Sequence, residues 1–330
     1  MRLIDFISER DRYLSFPWMA TAGLQLCGYT LYDVYLSPQR QLEVAQRMNQ
    51  EFDADFSYPM DDGAIFVETL GLPLLKPEFD FPSVLENPVK TTKDLEELQV
   101  PNPYSDGRMP LNLKALELIA TRIRKPLSLS IQGPFTLAVE LVGATDFVRA
   151  IIRNPDFIEK VLDFTNQVVG DYARATVKAG TKFICISEPT AVILSPDRFE
   201  KMVAVRLRAL YNSLGPGVWK VLHICGDTRV LLPHMLKCGA EGLSLDQVMD
   251  LSSIIKKVPK NMIILGNLDA IYVLRELSPE EVRAKTLELL RSMKGHSNYM
   301  FSFGCDCTPD TPLHNLRAAM EASRTRFVDL

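Results

Sequence analysis

The chain has 330 residues, of which 47% are hydrophobic and 24% are charged, the composition of an ordinary globular protein. Its formal net charge is −4 and its Lys and Arg residues form no long run, which argues against a nucleic-acid partner. No apolar run reaches the ~18 residues that cross a membrane. The first residues also lack the apolar core and cleavage site of a secretory signal, so we expect a cytoplasmic protein with no membrane partner.

The order of apolar and amphipathic segments predicts alternating strands and helices. A helix is expected at 38–52 and a strand at 52–58. Further strands are expected at 127–131, 183–187, 218–224, 242–245, 262–265 and 299–303. Between them, amphipathic helices are expected at 155–177, 196–214 and 279–293, and each begins with Pro close to Asn, Ser or Asp.

These seven strands favour a closed (β/α)₈ TIM barrel, an α/β fold, over an open doubly wound sheet. We expect the eighth strand in the irregular region 60–110, of which 72–110 is rich in Pro and charge and has the composition of an insertion or long loop. The chain contains no Gly-x-Gly-x-x-Gly turn, so a dinucleotide-binding fold loses its main support.

Two cysteine-containing segments follow predicted strands and offer metal ligands. His223 and Cys225 are two positions apart at a strand end, so their side chains point to the same face. Cys305 and Cys307 follow the last predicted strand, and either is a possible third ligand. Active sites of barrels lie at the carboxyl ends of the strands. One imidazole and two thiolates there suit Zn²⁺, with a fourth position open to substrate, better than cations that prefer oxygen ligands.

Acidic residues also follow the predicted strands. Glu188 is expected either to complete the zinc coordination, which it would leave when substrate arrives, or to have a capping role or support a zinc ligand. Asp61 and Asp62 follow the strand at 52–58, and Asp246 follows the strand at 242–245. We predict that Glu188, Asp61 and Asp246 are catalytic residues, and that the two aspartates orient ligands or substrate without transferring protons.

The remaining cysteines and histidines are expected to be structural. Six cysteines are too few for a disulfide scaffold in a chain of this length. We interpret Cys27, Cys185 and Cys238 as core residues. The histidines other than His223 lie in predicted helices or loops and are expected to be surface or capping groups: His234, His296 and His314.

Several motifs resemble the uroporphyrinogen decarboxylase superfamily, and within it the zinc-dependent methylcobamide:coenzyme M branch of corrinoid methyltransferases. They are GPFTLA at 133–138, EP at 188–189 with LSP at 194–196, HICG at 223–226, GNLD at 266–269, GC at 304–305 and TPLHN at 311–315. The His-x-Cys followed by a distant Cys is the motif specific to the methyltransferase branch.

The resemblance implies that residues 1–330 form one TIM-barrel domain with an N-terminal helical extension, and that His223, Cys225 and Cys305 bind zinc. It implies methyl transfer between a methylated corrinoid protein, which carries methylcobalamin, and a zinc-activated thiol such as coenzyme M. Zinc favours the thiolate form of a thiol near pH 7, and the thiolate is the nucleophile. The oligomeric state and the identity of the thiol stay open.

Three other functions remain as alternatives. In the first alternative, the protein transfers a methyl group from a small donor, a methoxylated aromatic or a methylamine, to the corrinoid protein. An aromatic-lined cavity would favour the aryl ether as donor, and Phe16, Trp18 and Met60 indicate such a lining. A polar cavity with one basic group would favour an anionic thiol. A non-catalytic tetrapyrrole-binding protein is the second alternative. The third is uroporphyrinogen decarboxylase, which is disfavoured because no arginine lies between Arg12 and Arg40, where the decarboxylases carry substrate-binding arginines.

Overall fold

The computed structural model describes residues 1–330 and contains a six-stranded parallel sheet and a short hairpin. In chain order the strands are β1 (Leu74–Leu75), β2 (Ser83–Val84), β3 (Ser128–Gln132), β4 (Phe183–Ser187), β5 (Trp219–Ile224), β6 (Gly242–Leu245), β7 (Ile263–Leu268) and β8 (Tyr299–Phe303). β1 and β2 pair antiparallel, whereas each strand from β3 to β8 pairs in parallel with the next. The six strands predicted between 127 and 303 are confirmed to within three residues at each end.

Helices connect the parallel strands and cover their outer face. The α-helices are Leu3–Ser8, Ala22–Cys27, Leu31–Tyr35, Pro38–Phe52, Ile65–Thr69, Thr92–Glu96, Met109–Arg122, Pro134–Val142, Ala144–Arg153, Pro155–Lys178, Pro196–Phe199, Val205–Ser213, Leu232–Met235, Leu251–Ile254, Tyr272–Glu276, Pro279–Ser292 and Leu313–Ser323. A 3₁₀ turn covers Pro189–Ile193, and a π turn at Glu200–Ala204 joins two of the helices. The four predicted helices are all present. Ser278 and Glu281, for example, form a reciprocal cap where one of them begins.

Two short N-terminal segments extend the six-stranded sheet toward closure of the barrel. Ser57 forms a parallel bridge with Leu127 beside β3, and Ser15 forms one with Phe301 of β8. Between the two segments a side chain replaces the backbone ladder, because the Asp55 carboxylate accepts hydrogen bonds from the Ser15 N–H (2.8 Å) and hydroxyl (3.2 Å). The predicted strand at 52–58 is thus reduced to a bridge at Ser57.

The prediction of an eighth strand within residues 60–110 was wrong. That region contains only the β1–β2 hairpin, two helices and the start of a third, and the second closing segment lies upstream, at Ser15. A single bridge is too short to show the alternation of apolar and polar residues by which a strand is recognised. The predicted insertion at 72–110 does contain the hairpin, whose connecting loop carries Phe81 and Pro82 toward the barrel mouth.

Asp55→Ala is expected to lower the free energy of unfolding by about 3 kcal/mol, because it leaves the largely buried Arg12 without its ion-pair partner. Arg12 and Asp55 form a two-point ion pair (2.6 and 2.9 Å) in which each side chain is about 15% exposed. Denaturant unfolding checks the change. The exposed pair Lys285–Glu288 provides the control, because Glu288→Ala should cost less than about 0.5 kcal/mol. Equal effects of the two substitutions would contradict this role of Asp55.

The core is one cluster that links the barrel to the helices. Phe16 stacks on Phe183 at 4.4 Å between ring centroids, and Phe56 packs against both rings. Phe16, Trp18 and Met60 are all buried in this core, so they do not provide the aromatic cavity lining suggested by the sequence. No helix is both long enough and apolar enough to span a membrane.

Candidate metal centre and its cavity

Three side chains with metal-binding atoms meet where β5 and β8 end. His223 lies within β5, Cys225 follows its last residue, and Cys305 lies two residues beyond β8. The His223 Nε2 atom is 3.0 Å from the Cys225 Sγ atom, which is 3.3 Å from the Cys305 Sγ atom. All three ligand atoms lie within 4.8 Å of one another, and no other group of three such residues does so. The structure therefore brings together the three residues that the sequence and the family resemblance singled out.

This donor set fits a zinc ion. Zinc bonds of about 2.0–2.3 Å in a tetrahedral site place neighbouring ligand atoms about 3.5–3.8 Å apart, close to the separations found here. One imidazole and two thiols match the preference of zinc for nitrogen and sulfur. Cys225 and Cys305 are only partly buried, which leaves one side of the triad accessible from the barrel mouth.

Hydrogen bonds hold the His223 ring in position. The His223 Nδ1 atom is 3.0 Å from the Ser244 Oγ atom of the neighbouring strand β6. The Trp18 indole N–H donates to the same Oγ atom at 3.1 Å, and the Trp18 ring lies 5.2 Å from the imidazole. When a metal binds Nε2 of a neutral imidazole, the ring proton is on Nδ1. The Ser244 hydroxyl oxygen has two lone pairs, so it can accept hydrogen bonds from both the Nδ1–H group and the Trp18 indole N–H. Ser244 therefore favours the tautomer that leaves Nε2 free to bind a metal.

The two thiols share a hydrogen bond that separates their pKa values. The hydrogen bond from the Cys225 thiol, together with the nearby His223 ring, lowers the pKa of Cys305 below its usual value. The same hydrogen bond, together with burial, raises the pKa of Cys225. One thiolate and one thiol in contact are the protonation states expected of a cysteine pair that is poised to release a proton when it binds a cation.

Asp246 ties together two loops beside the triad. Its carboxylate accepts hydrogen bonds from the Gly226 N–H (2.8 Å) and the Val248 N–H (3.0 Å). Gly226 has a φ of +82°, which favours glycine, and it immediately follows Cys225. Asp246 thus fixes the backbone turn that orients Cys225, a placement consistent with its predicted role in orienting ligands.

The carboxylate of Glu188 is not part of the triad and caps a helix. It is completely buried, and its carboxylate accepts hydrogen bonds from the N–H of Phe135 (2.9 Å), the N–H of Thr136 (2.7 Å) and the Thr136 hydroxyl (2.8 Å). A β-carbon at Gly133 would overlap this carboxyl group, so glycine is required there. Glu188 is not among the residues whose ligand atoms converge, and both its oxygens are occupied. The geometry corresponds to the capping alternative and not to a zinc ligand.

Cys307 is separated from the triad. It is 2% exposed, its N–H donates to the Trp18 carbonyl oxygen, and burial raises the pKa of its thiol. Of the two cysteines after β8, it is Cys305 that meets His223 and Cys225. Cys185 and Cys238 are fully buried in the core and Cys27 is partly buried.

A cavity of about 260 Å³ opens beside the triad at the carboxyl ends of the strands. Asp306, the residue after Cys305, lines the cavity together with Asp61, whereas none of the three triad residues lines it. Burial raises the pKa of both carboxyl groups, that of Asp306 to about 7. Asp62 also lines the cavity, but Arg108 forms an ion pair with it.

Sequence reasoning missed Ser244, Asp306 and Glu140 as members of this site. Ser244 lies two residues before Asp246 on β6, so the alternation along that strand was a usable signal. Asp306 stands between the two cysteines, and a carboxyl group next to a predicted ligand was also noticeable. Nothing in the sequence indicated that Glu140, on the helix Pro134–Val142, faces the cavity.

The family model described as Uroporphyrinogen decarboxylase (URO-D) matches residues 19–326. Because this match covers nearly the whole chain, the protein belongs to the uroporphyrinogen decarboxylase family. A methyltransferase from Methanosarcina mazei has a similar structure, with a TM-score of 0.87 and 25% identity, and the match covers 98% of this chain and 97% of that one. The fold is accordingly the TIM barrel expected from the sequence.

Relatives with two different activities match this chain. The methylcobamide:CoM methyltransferase MtaA of Methanosarcina barkeri is 30% identical over 247 residues, which cover 73% of this chain and 70% of the relative. The corresponding MtbA of Methanosarcina acetivorans is 32% identical over 250 residues, covering 74% and 71%. Uroporphyrinogen decarboxylase of Geobacter sulfurreducens is 28% identical over 296 residues, covering 87% and 84%. The residues of the site must therefore discriminate between methyl transfer and decarboxylation.

Proposed function

We propose that this protein is a zinc-dependent methyltransferase that moves a methyl group between a methylated corrinoid protein and a small thiol. The observation that carries the proposal is the convergence of His223, Cys225 and Cys305 at the barrel mouth. The similarity to methylcobamide:CoM methyltransferases over about three quarters of the chain supports the same reaction class.

In such a reaction some residues of the site would bind zinc and others would orient the zinc ligands. His223, Cys225 and Cys305 would hold the zinc ion, which supplies one effect: it keeps the sulfur of a bound thiol substrate in its nucleophilic, deprotonated form near pH 7. Ser244 sets the orientation of His223, and Asp246 sets the turn that carries Cys225. Ser244 and Asp246 therefore hold two of the three proposed ligands in place at the barrel mouth.

The reaction needs access for two partners. The small thiol fits the 260 Å³ cavity, whereas a corrinoid is far too large for it and must reach the mouth from outside, carried by its own protein. After the thiol has lost its proton, formation of the sulfur–carbon bond would break the carbon–cobalt bond, and both electrons of that bond would stay with the corrinoid. Partial exposure of Cys225 and Cys305 is compatible with an approach from the mouth.

Decarboxylation of uroporphyrinogen fits the cavity poorly. That substrate carries many carboxylates, and no Lys, Arg or His side chain lines the cavity. The acidic side chains of the lining, Asp61, Asp306 and Glu140, offer such a substrate no positive charge in either protonation state. Incubation with uroporphyrinogen is therefore expected to release no carbon dioxide, and its release at a rate that depends on Asp61 would favour the decarboxylase.

The direct test of the proposed function is methyl transfer from methylcobalamin to a panel of thiols that includes coenzyme M and homocysteine. Zinc-loaded protein should accelerate loss of the methylcobalamin absorbance with at least one thiol, with formation of the methyl thioether. Protein stripped of metal by a chelator should lose this activity and regain it with zinc. Activity that persists in metal-free protein would contradict the proposal.

Ser244→Ala is expected to weaken zinc binding by about 10- to 100-fold, the usual cost of removing a partner of a metal-bound histidine. The substitution removes the acceptor for His223 Nδ1 but leaves all three proposed ligands in place. Competition with a chromogenic chelator measures the affinity. Ser130→Ala, in the cavity wall on β3, is the matched control and should leave the affinity unchanged. Equal affinities of parent and S244A would remove Ser244 from the site.

A further inference from the structure

Trp18 forms hydrogen bonds next to both halves of the metal triad. Its indole N–H donates to the Ser244 Oγ atom at 3.1 Å, and that atom is 3.0 Å from the His223 Nδ1 atom. Its backbone carbonyl oxygen accepts a hydrogen bond from the N–H of Cys307 (3.0 Å), two residues beyond Cys305. One residue therefore connects the histidine ligand on β5 with the segment that carries the ligand after β8.

The N-terminal segment that carries Trp18 is bonded to β8 at several points. Ser15 forms the parallel bridge with Phe301, and the Phe16 N–H donates to the Phe301 carbonyl oxygen at 2.8 Å. The Ser302 hydroxyl donates to the Phe16 carbonyl oxygen at 2.6 Å. Trp18 itself is only 4% exposed, so its hydrogen bonds are shielded from water. The strand that precedes the third ligand thus sets the position of Trp18.

The Trp18 ring also restricts the imidazole of His223. The two ring centroids are 5.2 Å apart with an interplanar angle of 46°, and both side chains are buried. The Ser244 hydroxyl occupies the Nδ1 side of the imidazole, and Nε2 is 3.0 Å from the Cys225 Sγ atom. Close packing on one side and a hydrogen bond at Nδ1 favour the single ring orientation in which Nε2 faces the triad.

We propose that Trp18 is a positioning residue of the metal centre, which raises its affinity for zinc by holding Ser244, and through it His223, at a fixed place relative to Cys305. This inference rests on the zinc-binding part of the proposed function. A residue that does not bind the metal still controls the affinity in this way, because ligands that are held in place before the metal arrives lose less conformational freedom when it binds.

Trp18→Phe tests this role, because phenylalanine keeps an aromatic ring and removes the indole N–H. Zinc affinity is expected to fall about tenfold, the lower end of the usual cost of removing a group that supports a metal ligand. Competition with a chromogenic chelator measures the affinity. Trp219→Phe is the matched control, because it also removes an indole N–H that donates a hydrogen bond, to the Met1 carbonyl oxygen (3.2 Å). Trp219 is the first residue of β5, whereas His223 is close to the carboxyl end, so W219F should bind zinc as the parent does.

A double-mutant cycle with Ser244 separates the positioning role from a general structural effect. If Trp18 acts through Ser244, Trp18→Phe should lower the zinc affinity of the Ser244→Ala variant by less than about twofold. A general structural effect would instead lower the affinity by the same factor with or without Ser244. Equal factors, or equal zinc affinities of the parent and W18F, would overturn the inference.

Quenching of tryptophan fluorescence by Co²⁺ gives a second readout, in a protein whose Trp18 is intact. The chain has two tryptophans, so W219F leaves Trp18 as the only one. Co²⁺ bound by the triad should quench most of this emission at about one equivalent of metal. A strand rise of about 3.3 Å per residue places Trp219 about 13 Å along β5 from His223, so emission from W18F should be quenched less. Equal quenching of the two variants, or none in W219F, would contradict the placement of Trp18 beside the metal.

The outcomes distinguish this inference from the proposed function. If W18F and W219F bind zinc equally well, Trp18 has no positioning role, and methyl transfer by the zinc-loaded parent is decided by its own assay. If W18F binds zinc more weakly but the zinc-loaded parent methylates no thiol, the positioning role stands and the proposed function fails. A parent protein that binds neither zinc nor Co²⁺ would overturn both.

Discussion

Replacement of Cys225 by Ser is expected to lower zinc affinity by more than about a hundredfold and to abolish methyl transfer. Removing the residue that hydrogen-bonds to a metal ligand typically lowers metal affinity about 10- to 100-fold, so removing a ligand itself should lower it further. A serine hydroxyl stays protonated near neutral pH and cannot replace the thiolate. Cys225 is also the residue in contact with both other members of the triad, at 3.0 Å from His223 and 3.3 Å from Cys305.

Zinc analysis of purified protein measures this effect directly. The parent should contain about one zinc ion per chain, as a single three-ligand site requires, and C225S should contain almost none. Cys27→Ser, at a partly buried cysteine outside the triad, and Cys307→Ala, two residues beyond Cys305, should both retain the metal. Unchanged zinc in C225S, with the fold intact by circular dichroism, would remove the proposed mechanism. Loss of zinc from C307A would indicate that Cys307, and not Cys305, is the third zinc ligand.

The sequence predicted the ligands on β5 more firmly than the ligand after β8, and the backbone explains the difference. His223 lies in β5 and Cys225 directly follows its last residue, so the period of two still predicts a common direction for their side chains. β8 ends at Phe303, before either cysteine, and Gly304 bonds to the Leu268 carbonyl oxygen as the chain turns. Beyond a strand end, alternation no longer decides which of two cysteines faces the site.

The barrel closure and the cavity were beyond the reach of sequence patterns for a different reason. Ser15 and Ser57 join the sheet through one bridge each, and the contact between their segments is made by the Asp55 side chain. The cavity is assembled from residues that are distant in the chain, with Glu140 on a helix and Asp306 after β8. Local periodicity describes single elements, whereas these features depend on how the elements pack.

The predicted role of Glu188 shows the same limit. Its position after β4 correctly suggested the carboxyl end of the barrel, where a carboxylate is a reasonable zinc ligand. The sequence could not show that Gly133 allows the start of the helix Pro134–Val142 to approach so closely that its N–H groups take up both oxygens. A carboxylate at a helix start is a stabilising arrangement in its own right.

Glu188→Ala is therefore expected to destabilise the fold strongly and to leave zinc binding intact. The substitution removes the acceptor for the N–H groups of Phe135 and Thr136 and for the Thr136 hydroxyl, all of which are buried. Leaving such donors unsatisfied should cost about 2–4 kcal/mol, which lowers the melting temperature by several degrees. Thermal unfolding measures the first effect and zinc analysis of the folded variant measures the second.

The pH dependence of stability gives an independent test of Glu188. Burial raises the pKa of its carboxyl group to about 7, although three hydrogen bonds offset part of that shift. The folded protein thus holds this proton more tightly than the unfolded chain, for which the pKa is 4.5. The carboxyl group consequently contributes most stability below about pH 4.5, and this contribution is lost as the pH rises through about 7.

A glutamine at position 188 cannot titrate, so the stability gap between the parent and Glu188→Gln should shrink between about pH 5 and pH 8. Denaturant unfolding at several pH values measures the gap. A gap that is constant or grows with pH would mean that Glu188 is ionised in the folded protein at all these pH values. Loss of zinc from folded E188Q, in contrast, would show that Glu188 binds the metal. That result would contradict the capping role indicated by the hydrogen bonds from the helix Pro134–Val142.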